Sequence, residues 1–264
     1  MSTVGKFLRL YGEYMKANIA IAMEYRTSFV SQVFGMMIND ALWVAFWVLY
    51  FEKFPILKGW TLEDVLVLWC SVAFSLGLVT AFLSNCARIP TLVVQGQLDY
   101  YLTLPKDVLL HLLISQFRPT ALGDALFGPL LLVIMVKLTW MKVLVFLVVS
   151  LLAACVWAGC YLLTGSLAFF LGQSEGISAQ VMNTIIHFAT YPTTIFDNTV
   201  KFLLITILPA GFITTLPVEL VREVQLVPFL ELLAGAAVFL GSGVLLFRAG
   251  LRRYESGNLM MMRN

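Results

Sequence analysis

From Val143 to Gly172 the chain runs for 30 residues without a charged side chain. A bilayer-spanning helix needs only about 20 predominantly apolar residues, because each adds about 1.5 Å across a hydrocarbon core of about 30 Å. Four more stretches satisfy the same requirement, at 27–50, 65–84, 118–136 and 229–247. A sixth, 177–196, is interrupted by Asn183 and His187 but is long enough. Hydrophobic residues make up 60% of 264 positions and charged residues 12%, with mean hydropathy +0.91. Soluble domains run near 45–50% apolar and about 25% charged, so the chain reads as an all-α integral membrane protein. With no internal repeat, low-complexity stretch or long hydrophilic run, 1–264 reads as a single transmembrane domain.

Basic residues set the expected topology. Lys6, Arg9, Lys16 and Arg26 precede the first run, and Arg248, Arg252, Arg253 and Arg263 follow the last. The positive-inside rule therefore puts both ends in the cytoplasm, which demands an even number of crossings. Six crossings also bring Arg88, Lys106 and Arg118 inside and leave Lys53, Lys58, Lys137, Lys142, Lys201 and Arg222 outside. The remaining apolar piece, "KFLLITILPAGFITTLP" at 201–217, is short and broken by Pro209 and Gly211. It is expected to dip into the outer leaflet as a re-entrant helix pair between the fifth and sixth spans, its freed backbone groups covered by protein. At the other extreme, 1–26 is expected to form an amphipathic interfacial helix. Lys6, Arg9, Glu13 and Lys16 recur at intervals of three and four, with Leu8, Tyr11 and Met15 on another face. A basic flank serving topology alone is the plainer reading of the same residues. No removable signal peptide is expected at the start.

The chemistry that would make such a chain an enzyme is missing. There is no G-x-x-x-x-G-K-[ST] to cradle nucleotide phosphates, so any energy from ATP must come through another molecule. His111 and His187 form no metal-ligand spacing, and the four cysteines read as small apolar side chains. "GQSEG" at 172–176 formally matches the nucleophile-elbow pattern, but it follows an apolar helix and His187 is 13 residues on. Ser174 is therefore expected to cap a helix rather than attack a substrate. The mild net charge of +2 argues against a nucleic-acid partner. Asp40 and Asp124 fall inside apolar runs, where carboxyl groups must pair across helices or line a polar pathway. Asn183 and His187, four apart, share one helical face and carry the same two readings. In the last run, Ala234, Gly235, Ala237, Gly241 and Gly243 signal close helix packing, with A-x-x-x-G from Ala237 to Gly241.

One polar interruption, "QGQLDYYLTLP", separates the second and third runs. The longer "RIPTLVVQGQLDYYLTLP", Arg88 to Pro105, resembles the corresponding loop of ATP-binding-cassette permeases of the ABC-2 type, where G-x-L-D-x-x-L-x-x-P recurs. "YPTTIF" at 191–196 and "RRYESGN" at 252–258 resemble the same group.

The resemblance implies a permease without a nucleotide site. It would pair with a second permease and be driven by two separate ATPase subunits, which hold the ATP and magnesium. Loop 88–105 would dock on the ATPase, with Arg88, Ile89, Pro90, Gln95, Gly96 and Asp99 as coupling residues. Its helix is placed at Arg88–Gln95, ended by Gly96, with Tyr100 and Tyr101 as interface anchors. Asp40, Asp124, Asn183 and His187 become candidates for the substrate path, and Phe202, Pro209 and Phe212 for an outer gate. The implied function is export of an amphipathic compound across a prokaryotic inner membrane. An ion-coupled secondary transporter, an intramembrane enzyme built on Ser174 and a non-transporting scaffold remain the competing readings.

Overall fold

A computed structural model describes residues 3–105, 107–136, 139–197, 199–200, 203–204 and 208–255. Among them the protein is helical throughout, the one β-type pairing being an isolated bridge between Leu57 and Trp60. Helix α1 (Thr3–Glu24) meets α2 (Arg26–Lys53) at Tyr25, whose backbone leaves the helical region. Helix α3 (Leu62–Phe82) lies at the centre of the bundle. Asp64 in its first turn accepts hydrogen bonds from the Thr61 amide (2.8 Å) and hydroxyl (2.6 Å), which fixes where the helix starts. Asp64 also accepts from Arg222, whose guanidinium stacks 5.2 Å above the Trp60 ring.

Three short helices follow in the loop: α4 (Ile89–Val94), α5 (Leu98–Leu102) and α6 (Val108–Ile114). Helix α7 (Ala121–Leu131) contains Pro129 and continues as one π-helical segment over Leu132–Val136. Helix α8 (Trp140–Ser166) is offset at Leu167 from α9 (Ala168–Leu171), and α10 (Glu175–Ala189) follows. Beyond Tyr191 and Pro192 come α11 (Ala210–Ile213), α12 (Thr215–Arg222) and α13 (Leu226–Leu251).

Among the described residues, four helices are long and apolar enough to cross a membrane: α2, α3, the α8–α9 unit from Trp140 to Leu171, and α13. The other two expected crossings are shorter. Ala121–Val136 and Glu175–Ala189 reach about 24 and 22 Å at 1.5 Å per residue. The run expected to span 177–196 stops as a helix at Ala189, because Pro192 cannot continue it and disfavours helix in the residue before it. Of the expected re-entrant pair, α11 and the start of α12 are described. Lys201 and Phe202 lie outside the described residues.

Helix α3 is apolar on every side and buried on every side, with Leu68, Cys70 and Val65 fully enclosed. The helices around it approach closely through glycine. A Cβ on Gly77 of α3 would sit 2.4 Å from the Ala125 nitrogen of α7, and one on Gly128 of α7 would sit 2.4 Å from the Cys70 carbonyl oxygen. Gly123 opens the other side of α7 to the Val33 carbonyl of α2. Helices α8 and α13 form the most extensive pair, with Gly159 against the Phe239 backbone and Gly243 against the Gly159 carbonyl. The A-x-x-x-G pair expected to pack does not: a Cβ on Gly241 would have nothing within 4 Å, and Ala237 is exposed. The seam lies one face over, on Gly243 and the backbone at 239–240.

Helix α2 stands at the edge. Ile38, Leu42, Phe46 and Leu49 are exposed along it, a continuous apolar face that only lipid or another protein can cover.

Gly159→Ala is expected to lower stability by about 1–3 kcal/mol, since backbone rather than a flexible side chain must move. Gly241→Ala is expected to be neutral or slightly stabilising. Thermal denaturation of the two purified variants in the same detergent separates these outcomes.

Candidate functional site

The loop between α3 and α7 is folded, with one side facing the bundle and the other outward. A 3-10 turn over Ser84–Arg88 leads into α4, where Pro90 occupies a first-turn position that needs no amide hydrogen. The helix closes with the Gln95 amide donating to the Thr91 carbonyl (2.9 Å) and the Gly96 amide to the Val93 carbonyl (3.3 Å). Gly96 has φ +70°, the left-handed conformation in which a side chain would be strained. Ile89, Pro90, Leu92 and Val93 are buried, Ile89 against Gly165 of α8. The outward surface consists of Arg88, Gln95, Gln97 and Tyr100, with Gly96 and Asp99 half-buried. Arg88 donates to the Gln116 side-chain carbonyl. Of the six residues assigned to coupling, Ile89 and Pro90 therefore face inward and the other four reach the surface.

A buried polar network pins this loop. The Asn85 amide, fully enclosed, donates to the Leu112 carbonyl (2.9 Å) and the Ser115 hydroxyl (2.8 Å). The Ser115 hydroxyl is also 2.9 Å from that of Tyr101, so Tyr101 turns into the protein while Tyr100 stays exposed. Helix α1 docks on the same structure: the Tyr14 hydroxyl lies 2.9 Å from His111 Nδ1, and the Asn18 amide donates to the Ser115 carbonyl (3.3 Å). The C-terminal end of α13 joins from the other side. Phe169 packs edge-on against Phe247 and Tyr254, and Arg253 lies 5.4 Å over Phe170. The Tyr254 phenol sits beside Asp99; burial and that carboxylate push its ionisation above the usual phenol range. Of the sequence "RRYESGN", Ser256 to Asn258 lie outside the described residues.

Away from the loop, Asp40 and Asp124 meet. Helices α2 and α7 bring the two carboxyl groups together, each residue more than nine-tenths buried, and one oxygen of each has no hydrogen-bond partner among the described residues. Asn183 lines a cavity of about 190 Å³ with Cys86, Tyr161 and Ser178 between the loop, α8 and α10. His187 is exposed one turn further along the same face of α10 and is not among the residues lining that cavity. Ser174 stands at the start of α10, but its buried hydroxyl makes no capping bond, contrary to the expected cap. Pro209 is buried, and Phe212 lies against Gly235 of α13.

The family model described as ABC-2 family transporter protein matches residues 34–257, which include the pinned loop, α3, α8 and α13 and most of α2. The chain belongs to the ABC-2 transporter family. Neither curated proteins nor solved structures gave a match. ABC-2 permeases are multi-pass membrane proteins, generally non-catalytic, that work with ATPase subunits.

In this ABC-2 permease, sequence reasoning missed Asn85, Ser115 and the Tyr14–His111 contact, which join residues far apart in the chain. It also treated Asp40 and Asp124 separately, since nothing in the local pattern of either run points to the other. Asp124→Ala leaves the Asp40 carboxyl buried without its partner, and is expected to cost about 1–3 kcal/mol. Asp124→Asn keeps a donor in place and is expected to cost less. Melting of the purified variants checks the order; equal melting would remove the pairing.

Proposed function

We propose that this chain is the membrane-spanning subunit of an ATP-driven exporter of amphipathic small molecules. It sits in a prokaryotic inner membrane with six crossings and both termini in the cytoplasm. Ala121–Val136 and α10 make the two short crossings, the bilayer thinning or neighbouring helices covering the difference. Two ATPase subunits bind ATP and magnesium, and a second permease, identical or related, completes the pathway.

The observation that carries this reading is the loop at 88–105. Its inner side is fixed into the bundle by Asn85, Ser115, Tyr101 and Ile89, while Arg88, Gln95 and Gly96 remain on the surface. A loop needed only to reverse the chain requires neither a rigid mount nor a shaped outer face. A push from ATPase closure on such a mounted helix reaches α8, which packs against it, and passes to α1 through the Asn85–Ser115 network. Alternating access then rocks the two permeases about their interface. Asp40, Asp124, Asn183 and His187 are placed along the path, and Pro209 and Phe212 at its outer closure together with Phe202.

A second reading draws on the Asp40–Asp124 pair, because two neighbouring carboxyl groups buried inside membrane helices are also the apparatus of an ion-coupled transporter. Transport that survives removal of the ATPase and collapses with the proton gradient would establish it.

Affinity purification of the tagged chain from its native membrane is expected to bring down a separate ATPase. Arg88→Glu with Asp99→Arg is expected to cut recovery of that ATPase, or substrate-stimulated hydrolysis, by at least about tenfold, the scale of 1.4 kcal/mol. Membrane insertion should be unchanged. Unaided transport by the pure chain would overturn the proposal.

A further inference from the structure

At the end of the bundle opposite the pinned loop, a hollow of about 680 Å³ lies between α11, α12 and α13. Glu231, Ala234, Gly235 and Val238 of α13 all line it, at the i, i+3, i+4 and i+7 spacing that marks one helical face. Glu231 stands near the start of the helix, and Val238 lies about 10 Å further along it. The hollow thus carries a carboxylate at one end and an apolar stretch beyond it, with Thr193 and Thr215 also in its lining. Its floor is aromatic. Phe212 lies against Gly235, where a Cβ would fall 2.4 Å from the ring, and meets Phe239 edge-on with centroids 6.0 Å apart. Glu219 of α12 supplies a second carboxylate to the lining. Among the described residues no lysine or arginine lines the hollow, and Glu231 makes no ion pair.

We infer that this groove binds an amphipathic cation, which narrows the exported substrate to lipophilic amines and onium compounds. Each part of the groove answers to one part of such a molecule. The hydrocarbon body fills the space over Ala234 and Val238, where burial of apolar surface favours it. The positive centre lies at the Glu231 carboxylate, one turn along the helix from the Phe212 ring that packs on Gly235, so that opposite charge and an aromatic ring serve the same cation. A neutral compound forgoes the carboxylate, and an anion is repelled by Glu231. A second copy of the chain would bring the apolar face of a helix against Glu231 and leave that charge buried without a partner, at a cost the cationic ligand avoids.

The inference rests on the exporter reading, and its test is independent of the ATPase. Radiolabelled tetraphenylphosphonium and its isosteric anion tetraphenylborate are measured on the full-length protein in lipid nanodiscs, with empty discs subtracted. Saturable binding of the cation is expected, with little displacement by the anion. Glu231→Gln is expected to weaken binding about tenfold. Val238→Trp is expected to abolish it, filling the groove from an exposed position. Equal binding of the anion would overturn the inference, as would wild-type affinity in both variants. Efficient disulfide formation between two copies of Val238→Cys would place a second chain in the groove and overturn it as well. A chain that carries an ATPase but fails this test loses the substrate class and keeps the exporter reading; one that passes without an ATPase loses the exporter reading alone.

Discussion

Lipid tails are as apolar as leucine, so no hydrophobic force drives one membrane helix against another once both are inserted. Close contact must do that work, and here glycine makes it possible. Gly77, Gly123 and Gly128 let α2, α3 and α7 meet backbone to backbone, and Gly159 with Gly243 does the same for α8 and α13. Dispersion between atoms at contact distance is small for each pair and large over such a seam. The placement of the polar pair and of the groove follows from these close approaches. Asp124 adjoins Gly123 and reaches Asp40 because α2 can come near, and Phe212 forms a groove floor because Gly235 leaves it room.

The loop at 88–105 depends on a different force. It lies where water is available, so its polar groups need a reason to be buried, and Asn85 gathers them into one network with Leu112, Ser115 and Tyr101. The Asn85 amide nitrogen would carry the cost of desolvation if unpaired, while its Oδ1 is enclosed with no hydrogen-bond partner among the described residues. The result is a surface helix with little freedom to move by itself. That property suits an element that passes displacement from one protein to another.

Much of this was legible in the amino-acid sequence, for identifiable reasons. Long uncharged runs allow only helices in lipid, so α2, α3, α8 and α13 were readable from length and hydropathy. Gly96 marked its own helix end, because the left-handed conformation favours that residue. Local signals failed where partners are distant. The capping of α3 by Asp64 was visible in principle as T-x-x-D, but its second bond, to Arg222, was not. Ser174 has the right residue type and place for a cap, yet its hydroxyl is enclosed and makes no bond to the helix start. The A-x-x-x-G pattern in α13 named the right kind of contact on the wrong face, because small residues on both sides of a helix do not say which side meets a neighbour.

The docking of α1 bears on how the chain is made. Tyr14 and its partner His111 are separated by 97 positions. At synthesis rates of about 5–20 residues per second, α1 waits roughly 5–20 seconds before the residues that receive it exist. The contact that docks α1 can therefore form only after α3 and the loop that carries His111 have been made.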